Sequence, residues 1–223
     1  NCAGKIIGGH QILMLANSDD EISVVTKPSR LLSIGMTQAE AEKFLKLRNL
    51  VQERTGDTSD DAIVVEQIPE ITINALKAGK IETFGCSRDK IYGVTLNRKK
   101  SPMSVHYFEK VTGLSHKPVG ILTVFFSFEG MNMITFNGDN SRASDLYPDD
   151  PFKKCRRGDI GLTNRARPQA GLIGIRLDDS NEYGPTGEEK YGTNIFGRFV
   201  GDLNKMLSET EDRSVIYIKE EKP

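Results

Sequence analysis

The amino-acid sequence predicts an α+β fold that is made mainly of β-strands. Residues 119–128 and 131–136 are rich in β-branched and aromatic side chains and are separated only by Glu129-Gly130, a spacing typical of a β-hairpin. Residues 90–96 alternate between two faces, as expected of a strand with one buried face. Between these strands, residues 102–112 have the apolar spacing of a short amphipathic helix.

The first thirty residues predict a β-hairpin or the remnant of an upstream unit. Two apolar runs, 6–15 and 22–25, lie on either side of an acidic turn at Ser18-Asp-Asp-Glu21. The chain begins with Asn1 rather than Met, so we expect further sequence upstream of it.

Residues 31–83 predict a small βαββ unit. Thr37 and Glu40 have the spacing of a capping box at the start of a helix. The segments 49–54 and 62–67 that follow this helix read as two strands joined by a polar turn.

The same unit resembles a known module. Gly35-Met-Thr-Gln-Ala-Glu-Ala41, followed after the helix by Val64-Val-Glu-Gln-Ile-Pro69, is similar to the PASTA module, which is a βαββ unit. In secreted proteins that module binds cell-wall fragments or acts as a spacer. Because nothing else in the sequence suggests export, the resemblance implies a structural or partner-docking unit here.

The helix predicted after residue 101 has recognisable ends. Ser101 stands at the N-cap position and Pro102 at the first helical position, where the missing N–H costs nothing. Gly113 stands where a left-handed C-terminal stop is expected. Val105 and Phe108 fall on one face of the helix and predict its buried side.

Five motifs in order resemble the cyclophilins, the barrel-shaped proline isomerases. They are Ser101-Pro-Met-Ser-Val-His-Tyr-Phe108, Phe136-Asn-Gly-Asp139, Tyr147-Pro-Asp-Asp-Pro-Phe152, Gly158-Asp-Ile-Gly-Leu-Thr-Asn164 and Thr193-Asn-Ile-Phe-Gly-Arg198. The resemblance implies that residues 84–223 form a cyclophilin-like closed antiparallel β-barrel with two short capping helices. A different closed barrel or a sandwich would show similar short strands and Gly-rich turns.

The resemblance also implies a substrate groove whose chemistry is altered. Cyclophilins place an arginine and a glutamine against the prolyl amide, and in this sequence those positions fall on Phe128 and Phe136. The apolar pocket is partly kept at Met133, Ile134 and Ile175. The predicted groove comprises Phe126, Phe128, Met133, Phe136, Thr163, Asn164, Arg165, Arg167, Ile173, Ile175 and Thr193.

A pocket without these donors should bind an apolar residue but should not stabilise a twisted amide, because such stabilisation needs donors aimed at the developing charge. If Ile175 faces inward, Arg176 should face out, which leaves Arg165 and Arg167 as the arginines that could substitute. The alternative for this pair is a solvated basic loop.

Three functions are therefore open. The first is a non-catalytic or weakly catalytic binding protein whose groove and Arg165/Arg167 loop hold a protein partner or a proline-containing segment. The second is an active peptidyl-prolyl isomerase with rearranged donors. The third is a barrel that binds a small ligand, as closed barrels often do. No cofactor is predicted.

Composition narrows the class of protein. A formal net charge of −1 argues against nucleic-acid binding, and the basic runs 98–100 and 153–157 contain no aromatic residues. No apolar run approaches the ~20 residues of a membrane-spanning helix. Three scattered cysteines and three scattered histidines indicate a reducing compartment and no metal site.

The segment Asn164 to Gly187, with its two shaped loops around a strand, is similar to the archaeal family called methanogenesis marker protein 3, which also joins a PASTA-like stretch to a cyclophilin-like barrel. That resemblance spans nearly the whole chain. It implies a cytoplasmic protein of methane-producing archaea that helps to assemble or activate methyl-coenzyme M reductase.

Overall fold

The computed structural model describes residues 5–18, 20, 22–127 and 130–221, and within them it contains five α-helices and ten β-strands. The helices are α1 His10–Leu15, α2 Gln38–Lys46, α3 Thr72–Ala78, α4 Pro102–Thr112 and α5 Leu203–Ser208. The strands are β1 Val51–Gly56, β2 Ile63–Ile68, β3 Lys80–Cys86, β4 Ile91–Leu96, β5 Gly120–Phe126, β6 Met133–Phe136, β7 Asp159–Thr163, β8 Ile173–Arg176, β9 Thr193–Val200 and β10 Val215–Glu220. None of these described helices has the length and apolar character needed to cross a membrane.

Seven strands form a closed barrel in the order β10-β4-β9-β7-β8-β6-β5. Adjacent strands are antiparallel except for β10 and β4, which pair in parallel. This arrangement confirms the prediction of a mainly β, α+β fold with a cyclophilin-like closed barrel.

The helix α4 packs its apolar face onto the barrel core. The Phe108 ring centroid on α4 lies 5.0 Å from that of Phe196 on β9, and both side chains are fully buried. Gly113 ends the helix with a φ of 88°, as predicted. Ser101 differs from the prediction, because its hydroxyl donates to the Ile195 carbonyl and makes no cap hydrogen bond.

The strands before the barrel form a three-stranded sheet in the order β1-β3-β2, covered on one face by α2. The capping box at the start of α2 is confirmed, since Thr37 and Glu40 each accept the backbone N–H of the other. The predicted βαββ order is wrong. The element order is α2-β1-β2-α3-β3, because the third strand comes from residues 80–86 after an unpredicted helix.

The predicted N-terminal hairpin is also wrong for the described residues of this segment. Residues 10–15 form α1, and residues 22–25 belong to no helix or strand. A helix satisfies its own backbone hydrogen bonds, whereas a strand needs a neighbour that this segment does not have. Asp19 and Glu21 of the predicted acidic turn lie outside the described residues.

The sheet and the barrel share a hydrophobic cluster. Val64 and Val65 of β2 belong to it together with Ile91 of β4 and Tyr217 of β10. The Tyr217 hydroxyl also donates to Glu66 Oε1 at 2.6 Å. The boundary predicted between residues 83 and 84 falls inside β3, one strand before the barrel begins.

Cys155 is expected to resist alkylation in the folded protein. Its thiol is fully buried, and burial raises its pKa to about 12, so very little reactive thiolate forms. Iodoacetamide should modify Cys155 about a thousandfold more slowly in the native protein than in the urea-unfolded chain. Mass spectrometry that resolves each cysteine peptide measures this, and equal rates in the two states would show that the site is open.

Candidate functional site

Four neighbouring barrel strands, β6, β8, β7 and β9, present a continuous surface that we call the outer face. Strand alternation sends every second side chain away from the core. The outward residues are Met133 and Thr135 on β6, Gly174 and Arg176 on β8, Gly161 and Thr163 on β7, and Thr193 on β9.

The predicted groove residues divide between this face and the barrel interior. Met133, Thr163 and Thr193 lie on the outer face. Phe136, Ile173 and Ile175 do not line a groove, because all three are buried in the core cluster, where Phe136 pairs with Ile173. Met133 and Phe136 are three residues apart on one strand, so they cannot share a face, and both predicted groove residues of β8 point into the core.

The remaining predicted groove residues lie around this face or beyond it. Phe126 ends β5 and is about half exposed, at 45%. Phe128, the position of the family arginine, lies outside the described residues. Asn164 is buried, and its amide donates to the Tyr191 carbonyl at 3.0 Å and to Asn194 Oδ1 at 2.9 Å, so it ties two loops together.

The chain covers its own outer face with a short segment, residues 183–187, which we call the strap. Its sequence is Tyr-Gly-Pro-Thr-Gly, and it belongs to the connection between β8 and β9. Pro185 and Thr186 are buried, whereas Tyr183 is partly exposed. The Gly184 N–H donates to the Glu188 carbonyl at 2.8 Å and closes the strap on itself.

Two glycines in the strands make room for the strap. A Cβ atom on Gly174 would lie 2.2 Å from the Pro185 carbonyl oxygen. One on Gly161 would lie 2.5 Å from the Asn194 carbonyl oxygen of β9 and 2.9 Å from Pro185 Cγ. Real Cβ atoms do not come so close to backbone atoms. The strap therefore rests directly on the backbone of β7 and β8, which is a recognised use of glycine inside strands.

Threonine hydroxyls connect the strap to the outer face. Thr186 Oγ1 lies 3.1 Å from Thr163 Oγ1 and 3.5 Å from Thr193 Oγ1. The Thr193 hydroxyl donates in turn to the Leu162 carbonyl at 3.1 Å. All three threonines are buried. The Thr186 hydroxyl therefore makes its hydrogen bonds with residues of two strands and not with water.

A buried guanidinium lies under the strap. Arg176 is only 4% exposed; its Nη2 pairs with Asp178 Oδ1 at 2.7 Å, and its Nη1 donates to the Gly184 carbonyl at 3.4 Å. Its Nε has no hydrogen-bond partner among the described residues. The sequence correctly predicted that Arg176 faces outward. It did not predict Arg176 as a site residue, because the strap that buries its side chain has no signal in the local pattern.

The atom that Arg176 contacts decides its chemistry. The Gly184 oxygen belongs to the Gly184–Pro185 amide, and a donor on this oxygen favours the planar resonance form with its C–N double-bond character. Lowering the rotation barrier requires instead a donor that reaches the amide nitrogen as it becomes pyramidal. In this arrangement Arg176 anchors the strap and does not promote twisting of the bond.

The two arginines predicted as substitutes have other partners. The Arg165 guanidinium stacks over the Tyr147 ring at 4.2 Å and donates to the Ser144 carbonyl at 3.3 Å. Arg167 pairs with Glu188 at 3.1 Å and Glu189 at 3.4 Å, just beyond the strap. Arg167 therefore helps to hold the strap in place.

A second feature is a depression of about 1030 Å³ beside α4 and the β4–β9 pair. Leu96, Leu114 and Ile195 contribute apolar surface to it. Its charged residues largely neutralise one another, since Arg98 is paired with both Glu109 and Glu220. The barrel interior holds the core cluster of buried apolar side chains.

Comparisons with known proteins agree with this fold. Residues 92–221 match a domain family described as “Putative peptidyl-prolyl cis-trans isomerase domain”. UPF0288 proteins of three methanogenic archaea are also similar. The one from Methanothermobacter thermautotrophicus is 39% identical over the whole chain, that from Methanopyrus kandleri is 35% identical over 99% of it, and that from Methanosarcina acetivorans is 30% identical over 97% of it. The chain spans 41–43% of the length of these relatives.

Proposed function

The chain belongs, over residues 92–221, to the family described as “Putative peptidyl-prolyl cis-trans isomerase domain”, and from this membership we propose that it is a non-catalytic, cyclophilin-like protein-binding domain. Membership in this family supports the barrel fold and its similarity to prolyl isomerases. The geometry of the outer face supports the absence of catalysis.

The observation that carries the proposal is the strap over the outer face. Pro185 occupies the place beside Gly161 and Gly174 where another peptide could lie against the strands. The guanidinium on this face, that of Arg176, is bound by Asp178 and by the strap itself. A catalyst must bind the twisted amide more tightly than the planar one, and these contacts offer nothing to an external twisted amide.

One observation favours the second candidate, an active isomerase. Arg176 lies beside a prolyl amide on the outer face, and its Nε has no partner among the described residues. Activity on another peptide would require the strap to leave and the guanidinium to reach the amide nitrogen. Because that route breaks several buried contacts, we place it second.

The setting of the domain is part of the proposal. The similar proteins come from methanogens, which supports a cytoplasmic accessory role in methanogenesis, with methyl-coenzyme M reductase or its activation machinery as the partner. The expected result is that the purified chain associates with purified methyl-coenzyme M reductase in a sedimentation assay. Failure to associate with the enzyme in either its inactive or its active state would contradict this partner.

We expect no prolyl isomerisation by the purified chain. NMR exchange spectroscopy on a proline-containing peptide should give the buffer rate for the wild-type chain and for the Arg176→Ala variant, with a known cyclophilin as the positive control. Uncatalysed exchange takes tens of seconds, so even weak catalysis is visible. Wild-type turnover that disappears in Arg176→Ala would overturn the proposal in favour of the isomerase.

A further inference from the structure

We infer that the strap is an internal ligand that closes a specific peptide-binding site on the outer face, and that this site takes a Gly-Pro-Thr-Gly segment of a partner protein when the strap is released. The inference deepens the proposed binding function and rests on it. It assigns to that function a location, a sequence preference and a means of control.

The position of Pro185 on the outer face depends on the two strand glycines beneath it, which have no side chains. The Pro185 ring lies against Gly161, and its carbonyl lies against Gly174, with no space for a Cβ on either strand. Pro185 is buried although it belongs to a connecting loop. Loops usually run over the surface with their backbone in water. A loop proline that is buried against the glycine backbone of two strands therefore indicates a specific packing contact.

The residue after the proline is selected by its hydroxyl. Thr186 Oγ1 contacts the hydroxyls of Thr163 and Thr193 in a buried position. A valine there would keep the shape but leave these buried hydroxyls with fewer partners, which is costly. The outer face therefore distinguishes Pro-Thr from Pro-Val.

The next residue is selected by its backbone. Gly187 has a φ of +79°, a conformation that side-chain-bearing residues rarely adopt. A Cβ at Gly187 would lie 2.7 Å from Met133 Cε, which a flexible methionine can relieve, so the positive φ is what favours glycine here. Together these contacts define Gly-Pro-Thr-Gly as the sequence that fits the outer face.

The strap occupies the site because both of its ends are anchored. On one side Arg176 links Asp178 to the Gly184 carbonyl, and on the other side Arg167 pairs with Glu188 and Glu189. A tethered ligand has an effective concentration in the millimolar range, so it excludes a free peptide of the same sequence. Binding in trans therefore requires the strap to be displaced.

The test uses a variant in which the strap should leave the outer face, and it adds the strap sequence as a separate peptide. The Pro185→Asp/Thr186→Asp variant places two carboxylates over strand backbone and buried threonine hydroxyls. The one guanidinium under the strap, Arg176, is already paired with Asp178 and cannot neutralise both, so the strap should leave the face. Calorimetric titration with the peptide acetyl-Tyr-Gly-Pro-Thr-Gly-amide should detect binding to this variant and none to the wild-type chain. The Pro→Ala and Thr→Val versions of the peptide should bind about tenfold more weakly.

The control variant Asn74→Asp/Lys77→Asp carries the same new residues on the exposed face of α3 and should behave like the wild type. If the opened variant does not fold, Thr186→Val provides the second measurement. Its Gly184 and Gly187 amides should exchange hydrogen about tenfold faster than in the wild type, while core amides keep their rates.

The outcomes separate this inference from the proposed function. A folded, opened variant that binds none of the peptides, or binds all three equally, would overturn the inference and leave the non-catalytic proposal intact. An opened variant that binds the peptide and also isomerises it would support the inference and overturn the non-catalytic proposal. Unchanged exchange in Thr186→Val would also count against the selectivity for threonine.

Discussion

The Phe196→Ala substitution is expected to lower the free energy of unfolding by about 3–5 kcal/mol, the usual cost of removing a buried aromatic ring. Phe196 is fully buried and is in ring contact with Phe108, so its loss leaves a cavity between the barrel wall and α4. Urea unfolding followed by circular dichroism measures the change.

The matched control for this substitution is Phe125→Ala. Phe125 is 53% exposed on β5, and its replacement should change the free energy of unfolding by less than about 0.5 kcal/mol. Similar small effects for both variants would mean that α4 does not pack tightly into the barrel.

Replacing Gly174 by valine is expected to be the second most damaging change. Its first added carbon would lie 2.2 Å from the Pro185 carbonyl oxygen, so either the strap lifts away or the sheet distorts, at a cost of about 1–3 kcal/mol. Urea unfolding reports the loss of stability, and limited trypsin digestion at Arg176 and Lys190 reports a lifted strap.

Gly174→Ala distinguishes a close contact from a general strand effect. Alanine normally stabilises a strand relative to glycine because it restricts the unfolded chain, but here its Cβ meets the same oxygen. Gly8→Ala is the control, since nothing lies within 4 Å of a Cβ at that position. A Gly174→Ala variant as stable as the wild type would show that the strap is not seated on β8.

Local signals were enough to predict most of the barrel. The hairpin of β5 and β6, the helix α4 with its glycine stop, and the strands β7 and β9 all carry periodicity or turn residues that depend on a few neighbouring positions. The capping box of α2 is equally local. The chain therefore contains consistent short-range information for these elements.

The candidate site could not be predicted in the same way. An alternating run such as Ile173-Gly-Ile-Arg176 fixes which residues share a face, but it does not say whether the inward or the outward face carries the binding site. The strap is recognised only by what lies beneath it, and that depends on how three separate strands, β7, β8 and β9, are brought together. The available signal was the pair of strand glycines, Gly161 and Gly174, which indicates a close backbone approach.

The N-terminal segment and α3 show the limits of propensity. Apolar β-branched residues at 6–15 suggested strands, yet residues 10–15 form a helix because no strand is available for pairing. The helix α3 was missed because Thr72-Ile-Asn-Ala75 contains poor helix formers, and only Ala75 is buried against the rest of the unit.

The position of β10 has a consequence for how the protein is made. This strand lies between β4 and β5 and pairs with both, so the first two barrel strands are not linked to each other until β10 is in place. A ribosome adds about 5–20 residues per second, and throughout that synthesis the nascent barrel has two open sheet edges. Closure waits until residue 220 has left the exit tunnel, and until then both edges present unpaired backbone groups to any other strand nearby.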